Sequence, residues 1–464
     1  MIYKYLHNLL ILFLFIQPTC TPAIGSGFTI GEEREVGQKL LYKIRSSFPV
    51  IDEPDIHDYI NSLGAEVLKT AGRQYFDYHF FIVESRDFNA FAAPSGLIFF
   101  YTGIIENMNS EDELFSVLAH EIGHVVKRHL AARIEKNSMV NLTALGVALA
   151  SLAMGDGKAT AALLTGSMAA GQSAKLHFSR QNEEEADLLA YQWMKKLGRS
   201  PAGQERMLQT MRRIIRYRMG QVPQYLLTHP DPEARLGYVQ ALISAEPEPA
   251  KASIADEFEF LRFKYRVLSL SEDTGRIRRL LASIIAQKTG FEAMMAKYGL
   301  AQLDRQENNY QSSLSLIGEV IAAFPDKKIL RIDKGIILSE AGRTQQALAI
   351  LEDEYQKNPD NYAAYCLAES LLRAGKPEQA GQLFKQVAAE IEEYAKVYYK
   401  LAQIAGMQKK QGEMNYYLGK YNLYEGKLKL AKKNFGQAVK DNSLNKELSA
   451  EIKKTLEIIK KLED

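Results

Sequence analysis

Cysteine is scarce in this sequence, and neither sign of charge is in clear excess. Cys20 and Cys366 are the only cysteines among the 464 residues, and the sequence contains 58 Lys and Arg against 56 Asp and Glu. If an N-terminal leader is removed, one thiol remains, so intrachain disulfides cannot hold the fold together. The formal net charge of +2 gives no general attraction to nucleic acid. We therefore expect a protein that is stable on its hydrophobic core and has no nucleic-acid partner.

Long apolar runs are also missing. The run from Leu9 to Ile16 is too short for a membrane span of ~20 residues. A positively charged start precedes this run, and Thr21-Pro22-Ala23 follows it with a small-x-small cleavage pattern, which is typical of a secretory signal peptide. We predict a signal peptide at residues 1–23 and export of the remainder. Cys20 has a poor lipidation signal before it, so a lipid-anchored form is not expected.

The first part of the chain mixes two kinds of hydrophobic pattern. Residues 31–48 and 54–71 have apolar side chains at the spacing of amphipathic helices. Residues 76–83 and 96–101 are aromatic and β-branched, as strands are. This combination predicts an α+β domain with more helix than sheet.

A proline-rich, charged segment at residues 245–251 is typical of a linker. Beyond it the hydrophobic spacing is helical almost throughout. We predict domains at residues 28–243 and 291–464, joined by a linker and connecting helices at residues 244–290. All eight histidines lie at or before His229, so any metal chemistry based on imidazole must belong to the first domain.

The first domain contains His120-Glu121-Ile122-Gly123-His124. A capping pattern at Ser110 begins a helix ahead of this motif, and apolar residues continue through it. Two histidines four residues apart project from the same face of a helix and can bind one ion, and zinc suits imidazole. Glu121 follows the first histidine, where it can act as general base. A pair of helical histidines is more often core or surface than ligand, but this context favours a zinc site.

An acidic segment from Asn182 to Asp187 begins a second helical pattern. By itself, such a segment is typical of a solvated helix N-terminus, where negative charge is favourable. A catalytic zinc with two histidines, however, requires a carboxylate and an open position for water. We therefore expect the third ligand in this segment.

These residues resemble the HtpX and CAAX prenyl protease type 1 group of metallopeptidases. The similarity includes the two segments above, Asn89-Ala90-Phe91-Ala92 and His229-Pro230. It implies a mainly helical, zincin-like protease domain with a small sheet and a gluzincin-type endopeptidase activity. One Zn2+ per chain would be bound by His120, His124 and Glu183. Asp187 would orient a ligand histidine.

Two functional roles are open for His229, which the resembling family places before proline near the site. As a catalytic residue, it would donate a hydrogen bond to the developing oxyanion. Alternatively, it would occupy the open zinc position and hold the enzyme inactive until substrate arrives. A loop histidine without a role is the third alternative. His129 and His177 lack the spacing to join His120 and His124, and we interpret them as structural.

The segment Asn89, Ala90, Phe91 and Ala92 lies just ahead of a proline and a glycine, which predict a sheet edge or a turn. An extended substrate can add to such an edge as a further strand through main-chain hydrogen bonds. We expect this edge to bind unfolded chains. Ser95 departs from the resembling family, in which glycine commonly follows the proline.

An apolar stretch at residues 139–174 lies between the two ligand segments. Gly155 to Lys158 divides it into halves that are each too short to span a membrane. A buried helical hairpin, a lid over the zinc and a segment lying on a membrane surface all fit, because periodicity alone does not separate them.

The second domain repeats with a regular period. Ser313, Ala347, Ala380 and Met414 occupy equivalent positions at intervals of 34, 33 and 34 residues, which is the period of tetratricopeptide repeats. Met414 replaces the usual alanine, and the consensus tryptophan is absent. Stacked helix pairs of this kind form an all-α solenoid with a concave surface for partners. A plain helical bundle is the alternative, and the regular period disfavours it.

An exported zinc protease with such repeats looks like the periplasmic β-barrel-assembly-enhancing proteases of Gram-negative bacteria. The resemblance implies an endopeptidase that degrades unfolded or misassembled envelope proteins, with a chaperone role in outer-membrane protein assembly as a further expectation. The repeats would dock the assembly machinery, and residues 139–174 would contact the membrane surface. The alternative function is a repeat-based scaffold or chaperone with a latched or vestigial zinc site. An intact Glu121 argues against it, because a structural site needs no base.

Overall fold

The computed structural model describes residues 28–136, 178–217, 224–246, 253–442 and 444–463. The predicted signal peptide at residues 1–23, the apolar stretch at residues 139–174 and His177 lie outside the described residues. Within the described ranges, no helix has both the length and the apolar character needed to cross a membrane.

The first domain combines helices with a small sheet, as the sequence predicts. Its elements in chain order are α1 (Ile30–Ser47), β1 (Val50–Ile51), α2 (Pro54–Ala71), β2 (His79–Val83), β3 (Ala90–Ala93), β4 (Leu97–Tyr101), α3 (Thr102–Glu106), α4 (Glu111–Val126), α5 (His129–Lys136), α6 (Arg180–Lys196), α7 (Ala202–Tyr217), α8 (Gln224–Thr228) and α9 (Pro232–Ser244). A short 3-10 turn (Pro94–Gly96) joins β3 to β4.

The four strands form one sheet in the order β1-β2-β4-β3. β2 and β4 are parallel, whereas each outer strand is antiparallel to its neighbour, with Phe91 of β3 opposite Phe99 of β4. β3 lies at one edge of this sheet, as the neighbouring Pro94 and Gly96 predict.

Ser95 occupies a backbone conformation that usually requires glycine. Its φ is +67°, in the left-handed region that disfavours side chains. The side chain fits because α1 has a glycine opposite: a Cβ on Gly37 would lie 2.1 Å from the Ser95 Cβ. The departure from the family pattern is therefore accommodated by a missing side chain on the facing helix.

The sheet is buried on both faces. α1 covers one face, where Phe81, Phe91 and Phe99 stack on one another. α2 and α4 pack on the other face, where Phe80 and Phe100 join the main core. The alternation of side chains along each strand sends neighbouring residues into the two layers.

α4 runs through the middle of the first domain. Every residue from Glu111 to Val125 is buried. The Ser110 side chain caps the helix by accepting a hydrogen bond from the Glu113 backbone N–H at 3.3 Å. The Glu113 carboxylate accepts from the Asn109 N–H instead of completing the capping box with Ser110. A capped helix that is buried on all sides provides a rigid base for the residues of the motif.

The second part is entirely helical in the described residues. Its helices are α10 (Glu257–Ser269), α11 (Thr274–Gln287), α12 (Gly290–Gln306), α13 (Tyr310–Ala323), α14 (Ile329–Glu340), α15 (Thr344–Lys357), α16 (Asn361–Arg373), α17 (Pro377–Glu390), α18 (Ala395–Met407), α19 (Gln411–Tyr424), α20 (Leu428–Ala438) and α21 (Lys446–Glu463). Ser313, Ala347 and Ala380 are completely buried, whereas Met414 is half-buried. Small side chains at the first three positions let the paired helices approach closely.

The solenoid contacts the first domain near both of its ends. α10 belongs to both cores, because Phe260 and Phe263 pack in the first domain and Tyr265 packs among the repeats. Near the C-terminus, the turn after α19 meets α1: a Cβ on Gly426 would lie 2.1 Å from the Tyr42 carbonyl oxygen. The helical domain therefore curves back onto the first domain.

Candidate metal centre

Three elements bring the predicted site residues together. α4 presents His120, Glu121 and His124, α6 presents Glu183, and the turn between α8 and α9 presents His229. α4 and α6 approach closely at Gly123, where a Cβ would lie 3.3 Å from the Ala186 backbone. The glycine inside the motif therefore sets the distance between the two helices.

Four donor groups converge on one point. His120, His124, Glu183 and His229 each offer an atom, and these atoms lie within 4.8 Å of one another. His120 Nε2 is 3.0 Å from His124 Nε2 and 3.3 Å from His229 Nδ1. A Glu183 oxygen lies 3.1 Å from His229 Nδ1 and 3.4 Å from His124 Nε2.

This arrangement fits a metal ion. Ligand distances of about 2.05 Å in a tetrahedral zinc site place neighbouring donor atoms about 3.4 Å apart. Five separations between members of this set lie between 3.0 and 3.5 Å and surround that value. Hydrogen bonds among three imidazoles and one carboxylate cannot satisfy all the facing lone pairs. The donor set is therefore the kind that a first-row metal such as zinc prefers.

Glu121 lies beside this cluster without being one of its four members. It is completely buried, and its Oε2 has no hydrogen-bond partner. Its Oε1 accepts a long hydrogen bond from the Tyr225 hydroxyl at 3.5 Å. A buried carboxylate oxygen without a partner is costly, which points to a functional reason for retaining it.

Asp187 and Arg235 form a buried layer behind the donors. Asp187 Oδ1 lies 2.9 Å from His120 Nδ1, and both Asp187 oxygens accept from Arg235 at 2.8 Å. Arg235 Nη1 also lies 2.8 Å from a Glu183 oxygen. Burial raises the pKa of Asp187, but the charges of Arg235 and His120 outweigh burial and hold that pKa well below its ordinary value. The layer therefore keeps the carboxylates ionised and the ring of His120 oriented.

His129 lies behind His124 rather than in the donor cluster. Its Nδ1 is 3.0 Å from His124 Nδ1, and its Nε2 is 3.3 Å from Glu185. Phe178 stacks on the His124 ring, with the ring centroids 3.9 Å apart. These contacts fix the ring plane of His124.

The predicted substrate edge lies close to the cluster. Ala92 and Ala93 of β3 line a small cavity together with His124 and Phe178. Asn89, Ala90, Phe91 and Ala92 are nevertheless buried, with Ala92 the most exposed at 8%. An incoming strand would therefore have to displace the neighbours that cover this edge.

Sequence reasoning did not identify Arg235 or Tyr225. Arg235 is 7% exposed although an arginine on a helix is usually solvated, and a lone arginine after His229 gives no local signal. Tyr225 stacks on the His229 ring at 4.4 Å. Burial and the Glu121 carboxylate raise the pKa of Tyr225 well above its ordinary value, so its hydroxyl remains a donor. Both contacts depend on packing between distant segments.

A buried cluster of histidine and carboxylate donors, with a glutamate beside it on the same helix, defines a metal-dependent hydrolase attached to a helical-repeat domain. Comparison with known proteins makes this class specific. Residues 54–243 match the model of peptidase family M48, and residues 298–363 and 338–404 match models of the tetratricopeptide repeat. The chain is therefore a metalloendopeptidase with an M48 peptidase domain followed by tetratricopeptide repeats.

Curated relatives match this chain over shares that range from most of its length to about a third of it. The β-barrel assembly-enhancing protease of Escherichia coli (strain K12) is 29% identical over 376 residues, which cover 80% of this chain and 76% of the relative. The protein of the same name from Yersinia pestis is 31% identical over 67% of this chain and 64% of its own length. The mitochondrial metalloendopeptidase OMA1 of Arabidopsis thaliana is 31% identical over 32% of this chain and 28% of its own length.

The predicted fold class, the peptidase activity and the repeat architecture are thus confirmed. The assignment of individual ligands and of the domain boundaries stays a prediction from the sequence.

Proposed function

We propose that this protein is an exported zinc endopeptidase that degrades unfolded or misassembled envelope proteins. The observation that supports it most directly is the buried donor cluster with the unpartnered Glu121 Oε2 beside it. Location in the periplasm and a chaperone role in outer-membrane protein assembly are further parts of the proposal. They rest on the names of the relatives and on the signal-peptide pattern at residues 1–23.

One Zn2+ would be held by His120, His124 and Glu183. Two imidazoles and a carboxylate are a ligand set of catalytic zinc sites, which keep one further position open. Zinc, when bound, polarises the scissile carbonyl and makes water a better nucleophile at neutral pH. Asp187 then acts through His120, and His129 acts through His124, because each fixes the orientation of a ligand ring.

Glu121 would be the general base. Its free Oε2 is available to accept the proton of the attacking water, while Tyr225 engages the other oxygen. The same carboxyl group would then deliver the proton to the leaving amine. Burial of the site excludes competing bulk water during these transfers.

His229 in this conformation favours the latched alternative over oxyanion stabilisation. Its Nδ1 lies 3.1 Å from Glu183 and 3.3 Å from His120 Nε2, within the donor set itself. A fourth protein donor occupies the direction that the attacking water requires. We therefore propose that the turn between α8 and α9 must move before substrate is cleaved.

The repeats would bind the outer-membrane assembly machinery or stalled substrates on their concave surface. The alternative function, a scaffold with a vestigial site, is disfavoured by the buried Glu121 carboxylate, whose Oε2 has no hydrogen-bond partner. Contact of residues 139–174 with a membrane surface is proposed from the sequence alone.

The decisive experiment compares wild type with Glu121→Gln for bound zinc and for degradation of an unfolded substrate such as β-casein. We expect one zinc per chain in both proteins and a loss of at least about 100-fold in the rate of degradation by the variant. Glu184→Gln is the matched control, because Glu184 is an exposed neighbour of the proposed ligand. Equal degradation by wild type and Glu121→Gln would reject Glu121 as the base, and a zinc-loaded protein that stays inactive even when His229→Ala removes the proposed latch would favour the scaffold.

The substrate edge is tested by Ala92→Pro. The Asn89 carbonyl accepts from the Tyr101 N–H, so the alternation of antiparallel pairs turns the Ala92 N–H away from β4 and toward the free edge. Proline at Ala92 removes that donor without breaking the ladder, whereas Phe91 packs against Phe99 in the core. We expect KM for an unfolded substrate to rise about tenfold with kcat little changed, since one or two edge hydrogen bonds are lost. Ala92→Ser is the control, and an unchanged KM would argue against strand addition.

A further inference from the structure

α7 carries four arginines and no lysine. The four arginines, Arg206, Arg212, Arg213 and Arg216, line one cleft of about 510 Å³ between α7 and the N-terminus of α4. Asn109, Ser110 and Thr210 contribute polar groups to the same cleft. The proposed catalytic mechanism uses none of these side chains.

The floor of the cleft is neutral. Arg206 Nε lies 3.0 Å from a Glu113 oxygen, and its Nη2 donates to Ser110 Oγ at 3.0 Å. Glu113 is buried at 1% exposure. Arg206 and Glu113 therefore neutralise each other's charge, and the hydrogen bond to Ser110 joins the cap of α4 to α7.

The rim of the cleft has uncompensated positive charge. Arg212 meets Glu233 at 3.3 Å, but Glu233 is 65% exposed, so water screens that pair. In the part of the chain that the structure describes, no carboxylate lies within ion-pair distance of Arg213 or Arg216. Three guanidinium groups therefore surround a space that can admit an anion.

The sequence of α7 differs from an ordinary solvated basic face. From Leu208 to Tyr217 it contains no acidic residue, although like charges three or four positions apart destabilise a helix. α21 shows the ordinary case: its lysines alternate with glutamates along the helix. Charge of one sign on α7 is consistent with a counter-charge that comes from outside the chain.

The kind of anion follows from the side chains. Arginine presents a planar fork of donors that matches the oxygens of a phosphate. Ile215 lies between Arg213 and Arg216 in the sequence and is 40% exposed. Ile215 lies outside the lining of the cleft, whereas the three rim arginines complement a surface that presents several phosphates side by side, as anionic phospholipids do. We propose that the cleft between α7 and α4 binds the phosphate headgroups of an anionic membrane surface.

Flotation of the full chain with lipid vesicles tests this proposal independently of peptidase activity. Vesicles of phosphatidylethanolamine with phosphatidylglycerol are compared with vesicles of phosphatidylcholine alone, each at low and high salt. We expect binding to the anionic vesicles only, and weaker binding at high salt. Arg213→Gln/Arg216→Gln should weaken binding about 30-fold, because each basic residue near such a surface contributes about a factor of five. Ile215→Gln should have a smaller effect.

Lys460→Gln/Lys461→Gln is the matched control, since it removes the same charge from exposed positions on α21. It should bind like wild type, and both double variants should retain wild-type thermal unfolding because all four side chains are exposed. An equal loss of vesicle binding in both double variants would show that binding depends only on net charge, and it would overturn the proposed site. Vesicle binding by Arg213→Gln/Arg216→Gln equal to wild type would also overturn it. Arginine-dependent binding of inorganic phosphate or a short RNA duplex, without vesicle binding, would overturn the membrane as the source of phosphate.

Discussion

The metal centre and an interdomain cluster, both buried groups of charged side chains in the described part of the chain, differ in how completely their hydrogen bonds are satisfied. The interdomain cluster joins the first domain to the repeats, where all three side-chain nitrogens of Arg266 bond to Glu53 or Asp333 at 2.6 to 2.8 Å. All three nitrogens of the neighbouring Arg262 likewise bond to Asp55 or Glu259 at 2.6 to 2.8 Å.

The metal centre, in contrast, leaves atoms without partners. Glu121 Oε2 and His229 Nε2 are buried and have no hydrogen bond, and the nitrogens of three histidines face one another. A fully satisfied network can hold parts of a fold in register, whereas buried polar atoms without partners inside a cluster of metal donors point to a function there. The two clusters therefore differ in kind. The arginines of the interdomain cluster have all their hydrogen bonds, as in a structural cluster, whereas the metal centre has buried atoms without hydrogen bonds, as in a catalytic one.

The largest effect on stability is expected from Asp333→Asn in the interdomain cluster. Asp333 is 1% exposed and accepts from Arg266, Tyr298 and Tyr362. Asparagine keeps the shape but removes the charge that compensates Arg266. We expect the free energy of unfolding to fall by about 3 kcal/mol, measured as a lower urea midpoint, while kcat below the unfolding transition stays at the wild-type value.

The exposed Asp353, which pairs with Lys357 within α15, provides the control. Asp353→Asn should leave the urea midpoint almost unchanged. If Asp333→Asn instead abolished cleavage in the folded protein, the interdomain cluster would be part of the catalytic machinery and the comparison would fail.

Asp187→Asn should weaken metal binding and activity more than it lowers the stability of the fold. It preserves an acceptor for His120 but weakens the paired hydrogen bonds with Arg235. We expect metal affinity to fall about 10- to 100-fold, measured by competition with a chelator, and activity to recover in part when metal is added. A lower urea midpoint with unchanged metal affinity would place Asp187 with the structural residues, and Glu184→Gln serves again as the exposed control.

The part of the site that the sequence predicts is the part that local periodicity encodes. His120 and His124 share a helix face because of their spacing alone, and the acidic start of α6 is visible as composition. Arg235 and Tyr225 enter the site only because α8, α9 and α4 pack together. No pattern in the sequence shows that packing.

The same distinction holds for the fold. The repeat period places Ser313, Ala347 and Ala380 at buried positions, and the aromatic and β-branched residues at 76–83 and 96–101 predict strands. The two faces of α10 belong to different cores, and the sequence does not predict this. It depends on contacts between residues more than 200 positions apart, such as Glu53 with Arg266. The curved return of the solenoid to α1 likewise depends on a close contact at Gly426. Long-range packing of this kind follows from three-dimensional fit and not from periodicity.

The smallest expected effect concerns a second contact between the two domains, His79 of β2 with Glu393. His79 Nδ1 lies 3.3 Å from the carboxylate, which Arg45 also approaches at 3.4 Å. Burial lowers the pKa of His79, but the hydrogen bond and charge of Glu393 outweigh burial and raise the pKa above its ordinary value of 6.5. Burial raises the pKa of Glu393, but His79 and Arg45 outweigh it and lower the pKa below 4.5.

These directions determine the pH range in which the contact stabilises the fold. A raised histidine pKa gives stability that is complete below pH 6.5 and is lost as pH rises through the folded pKa; a lowered glutamate pKa gives stability that is complete above pH 4.5 and is lost in acid. A double-mutant cycle of His79→Gln and Glu393→Gln should therefore give a coupling of up to about 1 kcal/mol at pH 5.5. The coupling should be smaller at pH 8.5, and a coupling that is equal at both pH values would show that the contact does not depend on the charge of His79.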